Sequence, residues 1–475
     1  MATQKYRIYN FGGLNVHTSP FMLQAGELIS CVNVDANPHG AKQTRPGYGV
    51  YLPKPTEGTV QNMFNWRRND GTTFYNYMFM KTESGPSILY HSSNGTANWG
   101  ICGGGTLSGD HVGYAVLGDK LFVGDGVNPI KYTSDGTSFG TMALAPTGEF
   151  LASYQGRIYV AGTASTIFYS TALDGTNWNT SGTADSSSFD VGGGGKLGQI
   201  FIANDRLNIT KNNQRMYNWD GYSLLTVPTN QGPTSPYSLG EIENYWIWLN
   251  RNGYMSYYGG MPTLISIPIE PKINGINGGV FLESPGIAHR YEYYNSVGDV
   301  YDDISGETIT NCVQVYNYLH NEWGDYSFYK KPTCWLSFID NNGIPQLVFA
   351  SDDGFTYKMG GNSDYDGNST TTHPINSEIQ GVLNFGVPDM DKKFSFMRVH
   401  FNPGCGVRMQ VAITDTFNTD SKKWIDLGDL HTGFKKFAFP EGSRGKLLFY
   451  KITDSNSVSA FRFYGMCIDW EEQGF

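Results

Sequence analysis

Charge is scarce in this chain. Asp, Glu, Lys and Arg make up 16% of its 475 residues, where globular proteins carry about a quarter. No long run of either sign occurs, which removes the basic arm of a nucleic-acid binder from consideration. Apolar runs fall short of the roughly 20 residues that a membrane-crossing helix needs. The opening Met1-Ala-Thr-Gln-Lys-Tyr6 lacks the apolar core of a secretion signal. A soluble chain made in the cytoplasm, with no membrane partner, is therefore expected. Six cysteines (Cys31, Cys102, Cys312, Cys334, Cys405, Cys467) are scattered without a CxxC pair, and nine histidines show no HxH or HExxH spacing. Reduced, buried thiols are expected, with no disulfide frame, metal or cofactor.

Aromatics, by contrast, reach 15%, and there are 59 glycines. Tyr, Phe, Trp, Thr and Val suit pleated sheets, whereas helices favour Ala, Leu, Glu, Lys and Arg. The composition points to an all-β protein, and the length to two or three domains. Residues 375 to 475 contain 12 basic and 12 acidic side chains, so the whole net charge of -10 falls on the first 374 residues. Such a surface argues against tight DNA binding, which depends on neutralising phosphates. It is compatible with a channel through which DNA slides.

The middle of the chain repeats. Ile88-Leu-Tyr-His-Ser-Ser-Asn-Gly-Thr-Ala-Asn-Trp99, Ile130-Lys-Tyr-Thr-Ser-Asp-Gly-Thr-Ser-Phe139 and Ile167-Phe-Tyr-Ser-Thr-Ala-Leu-Asp-Gly-Thr-Asn-Trp178 follow one plan, and Arg215-Met-Tyr-Asn-Trp-Asp-Gly221 is a shortened copy. Their tyrosines, Tyr90, Tyr132, Tyr169 and Tyr217, continue in weaker copies at Tyr258, Tyr316 and Tyr357, with spacings from 37 to 58 residues. Short strands joined by Asp-Gly or Asn-Gly turns at such a period are the signature of β-propeller blades. A propeller of about seven blades, with six or eight as alternatives, is expected over residues 56–360. A polar linker, 361–374, follows. Beyond it, runs of period two such as Phe396–Phe401, Val407–Ile413, Lys446–Ile452 and Phe461–Trp470 predict a β-sandwich, jelly-roll-like, over 375–475.

The first 55 residues read differently. Phe11-Gly-Gly-Leu-Asn-Val-His-Thr-Ser-Pro20 leads to Gly26-Glu27, Asn33 and Arg45-Pro-Gly-Tyr48. Gly permits unusual backbone angles and Pro fixes turns, yet apolar periodicity is too sparse for a separate core. An extended arm that contacts the propeller or neighbouring subunits is expected. Gly12, Gly13, Leu14, Asn15, Ser19, Pro20, Gly26, Glu27, Asn33, Arg45, Pro46 and Gly47 are its candidate assembly residues, with Glu27 and Arg45 as the charged contacts. Removal of residues 1 to 30 is expected on this reading to leave a folded monomer.

This arm resembles the N-terminus of virion proteins of tailed bacteriophages, in particular the tail nozzle and tail hub proteins of short-tailed phages, and a propeller followed by a small sandwich is similar to them in outline. The resemblance implies a structural virion protein in the tail, a homo-oligomeric ring of six copies below the portal and adaptor. Fibres or a needle or plug attach nearby, and DNA passes through without sequence-specific binding. The alternative is a propeller glycan-binding protein or glycosidase acting on host surface polysaccharide.

No catalytic residue is assigned. Ser170-Thr-Ala-Leu-Asp-Gly-Thr-Asn-Trp178 looks like the Asp-box of sialidases, whose expected role is structural: a capped turn and a packed Trp. The arginines are dispersed, so no carboxylate-binding cluster is visible. Gly136-Thr-Ser-Phe-Gly140 satisfies the Gly-x-Ser-x-Gly pattern but sits in a repeat turn rather than a strand-to-helix elbow. Gly192-Gly-Gly-Gly-Lys196 lacks the Ser or Thr of a phosphate loop. Asn362-Ser-Asp-Tyr-Asp-Gly-Asn368 matches half a calcium loop without the closing Glu, and a solvated hinge is expected there. Tyr245, Trp246 and Trp248 are expected to pack between blades.

Overall fold

In the computed structural model the described residues are all except 1–2, 37–39, 84, 96–97, 163, 182–184, 304–305, 363–364, 368–371, 403–406, 416–421, 431–432, 456–461 and 474–475. Strands account for 57% and helices for 3%. Successive runs of four antiparallel strands occupy 58–107, 113–141, 148–190, 197–227 and 240–264. A further sheet is built from Pro332–Ile339, Pro345–Ser351 and Thr356–Asn362. The first strands of most successive units pack side by side, and Pro332–Ile339 returns against Gly58–Arg67 to close the circle.

Six blades stand as separate four-stranded sheets, where the repeats predict about seven. The difference lies in residues 286–327. They form the same four-stranded meander and sit against the strands beginning at 240 and 332. That sheet does not end there, however, but runs on to a total of nine strands.

The tyrosine register is borne out. Tyr90, Tyr132, Tyr169, Tyr217, Tyr316 and Tyr357 lie on the third strand of their units, and Tyr258 follows the third strand Gly253–Tyr257 directly. The aromatic wealth has a physical use between blades. Ring bodies fill the gap while the polar tip bonds the neighbouring blade's turn. Tyr75 and Tyr77 of the first blade donate to the carbonyls of Asp135 and Gly136 of the second, both at 2.9 Å. Tyr154 does the same to Asp205, at 2.8 Å. Trp178 of the Asp-box-like turn packs with Phe122 and Ile158, and Asp174 accepts the Thr176 N–H at 3.0 Å.

The arm is woven into these sheets. Its strands are β1 (Gln4–Ile8), β2 (Leu28–Val32), β3 (Val34–Ala36), β4 (Lys42–Thr44) and β5 (Gly47–Leu52). β5 supplies the fourth strand of the last blade, on Thr356–Asn362. β2 lies between the meander's Glu322–Ser327, which it pairs in parallel, and Ser377–Leu383 of the C-terminal region. It thereby joins propeller and sandwich in the nine-stranded sheet. β1 and β4 pair Arg462–Glu472 in the opposing seven-stranded sheet. One apolar core, including Phe11, Leu14, Leu28, Val34, Ile379, Met397, Tyr450 and Ile468, runs from the propeller into the sandwich. The arm thus contacts its own propeller, one of the two partners expected for it, and the sandwich as well. Its strands complete sheets of its own chain, because those sheets otherwise leave unpaired edges.

Candidate functional site

The arm residues singled out in the sequence converge on the junction of propeller, sandwich and linker. Asn33, directly after β2, has φ +56, a region that Asn tolerates better than most residues. Its backbone N–H donates to the Asp325 carbonyl at 2.7 Å, and its Nδ2 to the Asn376 carbonyl at 2.7 Å. Its Oδ1 accepts from Arg45 Nε and from the Ser327 N–H, both at 2.8 Å. Arg45 is fully buried and grips Asp366 with two nitrogens at 2.9 and 2.6 Å. It donates further to the carbonyls of Pro46 (3.1 Å) and Ser327 (2.9 Å). The guanidinium carbon lies 4.7 Å from the Phe328 ring centre. A two-pronged, fully paired arginine is the arrangement in which a buried cation is tolerated.

The glycines have steric reasons. A Cβ on Gly13 would sit 2.6 Å from the Trp323 nitrogen, and one on Gly47 would sit 2.0 Å from the Tyr365 carbonyl oxygen. Gly26 has φ +95, and its carbonyl accepts the Gly12 N–H at 3.0 Å. Leu14 donates to the Trp323 carbonyl (2.8 Å) and Asn15 to that of Leu28 (2.7 Å). Ser19 caps a turn to Met22, and Pro20 is buried. Glu27 receives Asn15 Nδ2 at 2.9 Å and the Gln24 N–H at 2.7 Å. Glu27 and Arg45, expected as the charged contacts of the arm, both make their contacts within the chain.

A second constellation was not visible in the sequence. The first strands of the units enclose an axial cavity of about 280 Å³ whose wall includes His111, Tyr114, Glu149, Tyr237, Trp246 and Glu283. Tyr237 follows the buried cap Ser235 on a short turn of helix. It donates its phenol proton to Glu149 Oε1 at 2.7 Å, and its ring stacks on His111 with centroids 4.0 Å apart. Burial pushes the Glu149 carboxyl up, against the pull of the Tyr237 hydrogen bond, and pushes His111 down. The Tyr237 phenol is raised too, by burial and by the Glu149 charge, opposite to what an activated phenolate nucleophile requires. An outer chamber of about 430 Å³ shares Gln61, His111, Glu283, Pro285 and Thr333 with the inner one. Of the expected interblade aromatics, Trp248 is core and Tyr245 is 36% exposed, while Trp246 donates to the Ile202 carbonyl at 2.8 Å beside the cavity.

A surface groove of about 720 Å³ runs beside Asp35 and Glu292. Tyr326 donates to Asp35, and Tyr294 to Glu292. Burial first, then repulsion from Glu292, pushes the Asp35 carboxyl up to about 7, against the pull of Tyr326, Arg45 and Lys42. A carboxyl raised in the folded state stabilises fully below its ordinary value near 4 and loses that contribution as pH rises through 7. Asp35→Asn keeps an acceptor for Tyr326 without a charge. It is expected to remove roughly 1–2 kcal/mol of the stability lost between pH 5 and 8, as read from urea midpoints at both pH values. An unchanged pH profile in that variant would contradict the assignment.

The remaining motifs are turns. In Gly192–Gly195 every φ is positive, and carbonyls, not N–H groups, converge: Lys211 Nζ donates to Gly192 and Gly194. That polarity holds a cation and would repel a phosphate. Asp135 accepts the N–H groups of Thr137 (2.7 Å) and Ser138 (2.8 Å), placing Ser138 in a capped hairpin turn. The half calcium loop at 362–368 and Cys405 lie partly or wholly outside the described residues. Among the described residues, no group of three His, Cys, Asp or Glu is placed to hold a metal ion.

No family model and no curated protein matches the sequence. Solved structures similar in fold include YCF48 from Cyanidioschyzon merolae, at 10% identity and TM-score 0.43, covering 66% of this chain and 98% of that one. BamB from Moraxella catarrhalis matches at 12% identity and TM-score 0.39, covering 70% of this chain and 96% of its own. The computationally designed Ika8 protein matches at 11% and 0.41, over 66% and 99%. The likeness is one of strand arrangement alone.

Proposed function

We propose that the protein is a structural component of a bacteriophage virion, a tail nozzle or hub subunit that assembles as a ring around the DNA exit channel. The observation that carries this reading is the use to which the arm motif is put. The residues shared in pattern with such proteins, from Gly12 to Gly47, are those that fasten propeller, sandwich and linker to one another. A part that transmits load between rings while DNA passes needs such fastening. The acidic excess on residues 1–374 supports it as well, since a wall of that sign repels phosphates and leaves the genome free to move. Six copies would form the ring, with portal and adaptor proteins above and fibre, needle or plug proteins attached. Its place would be the virion tail.

Negative-stain imaging of the purified full-length chain tests this. Rings of six subunits with an axial opening are expected. Isolated monomers at tens of micromolar, together with release of reducing ends from capsular polysaccharide or lipopolysaccharide, would overturn the reading in favour of a glycan-directed protein.

A further inference from the structure

We propose that the axial cavity of the propeller is a binding site for one guanidinium or alkylammonium group. Its wall carries Glu149 and Glu283, and neither lysine nor arginine is among the residues that line it. Glu149 Oε1 takes the Tyr237 hydrogen bond at 2.7 Å. Among the described residues nothing donates to its second oxygen, and Glu283 is in no ion pair. His111 gives no compensation, because burial holds the imidazole below its usual range and so neutral. Glu149 is half-buried and Glu283 exposed at the cavity mouth, so a cation entering between them meets carboxylate oxygens in a medium less polarisable than open water on the Glu149 side. The same two charges exclude phosphate and sulfate.

The rest of the wall suits the methylene stem and planar head of such a group. Tyr114, 42% exposed and stacked on Phe64 at 4.6 Å, and Trp246 put aromatic rings in the wall, a residue type beside which cations are favoured. The cavity, about 280 Å³, lies just under the roughly 300–1,000 Å³ of drug-sized ligand sites, which suits a single small cationic head. The outer chamber adjoins it and carries two lysines, Lys81, held by Asp110 at 2.6 Å, and Lys331. The cation has two possible sources, a basic side chain of a partner polypeptide or a free amine, and the chemistry recognised is the same.

Isothermal titration of the full-length protein tests this with three probes: agmatine, the peptide acetyl-Gly-Arg-Gly-amide, and N-butylurea as the neutral counterpart. Both guanidinium probes are expected to bind at least about tenfold more tightly than the urea. Glu149→Gln and Glu283→Gln are each expected to weaken agmatine about tenfold with an unchanged circular dichroism spectrum. Tighter binding of the peptide than of agmatine assigns the site to a protein partner, and the reverse order to a free amine. Equal affinity for urea and guanidinium, no binding of either cation, or agmatine affinity unaltered in both variants overturns the proposal.

Discussion

Arg45→Met is expected to lower the free energy of unfolding by about 3–5 kcal/mol. The substitution removes a cation that is 0% exposed and leaves Asp366, 3% exposed, as a buried charge without its partner. It also strips donors from the carbonyls of Pro46 and Ser327. Asn33 Oδ1 keeps the Ser327 N–H, so that part of the loss is smaller. Because single domains are stable by only about 5–15 kcal/mol, the variant stands near the edge of folding. The double variant Arg45→Met with Asp366→Leu removes both charges and should be more stable than Arg45→Met alone, since the unpaired carboxylate dominates the cost. Urea unfolding followed by tryptophan fluorescence reads both. A loss under about 1 kcal/mol for the single variant would mean that the pair does not hold the junction.

The propeller was legible because its signals are local. Each unit has its own third-strand tyrosine and its own Asp-Gly or Asn-Gly turn, and both survive in the structure as Tyr132 with Asp135-Gly136 or Tyr217 with Asp220-Gly221. The merging of 286–327 into a larger sheet was not legible, since it depends on β2, nearly 300 residues earlier in the chain. The arm showed which residues were unusual without showing what they touch. Gly13 and Gly47 stood out as glycines, but the backbones they admit belong to Trp323 and Tyr365. Arg45 stood out as a charge, but its partner is 321 positions away in a stretch that reads as a polar hinge.

The axial cavity was invisible for a related reason. Its wall is gathered from first strands and from the turns beside them, so His111, Glu149 and Tyr237 share no motif and no spacing. Tyr237 and Glu149 are 88 residues apart. Only ring closure makes them neighbours.

The arm is an integral part of the chain's own sheets, and removal of residues 1 to 30 tests that most directly. The deletion takes away β1, leaving the Arg462–Glu472 strand without that neighbour, and all of β2 before Cys31. It also removes Phe11, Leu14, Leu28 and Ile29, each no more than 3% exposed. Burial of large apolar side chains is worth about 1.5–3 kcal/mol each, so the loss from these four alone is comparable with the whole stability of an ordinary domain, about 5–15 kcal/mol. The measurement is size-exclusion chromatography with thermal unfolding of the truncated chain beside the full-length one. The expected result is aggregated or partly folded protein without a cooperative transition. A monodisperse monomer melting within a few degrees of the full-length protein would contradict the account and restore the arm as a detachable tether for neighbouring subunits.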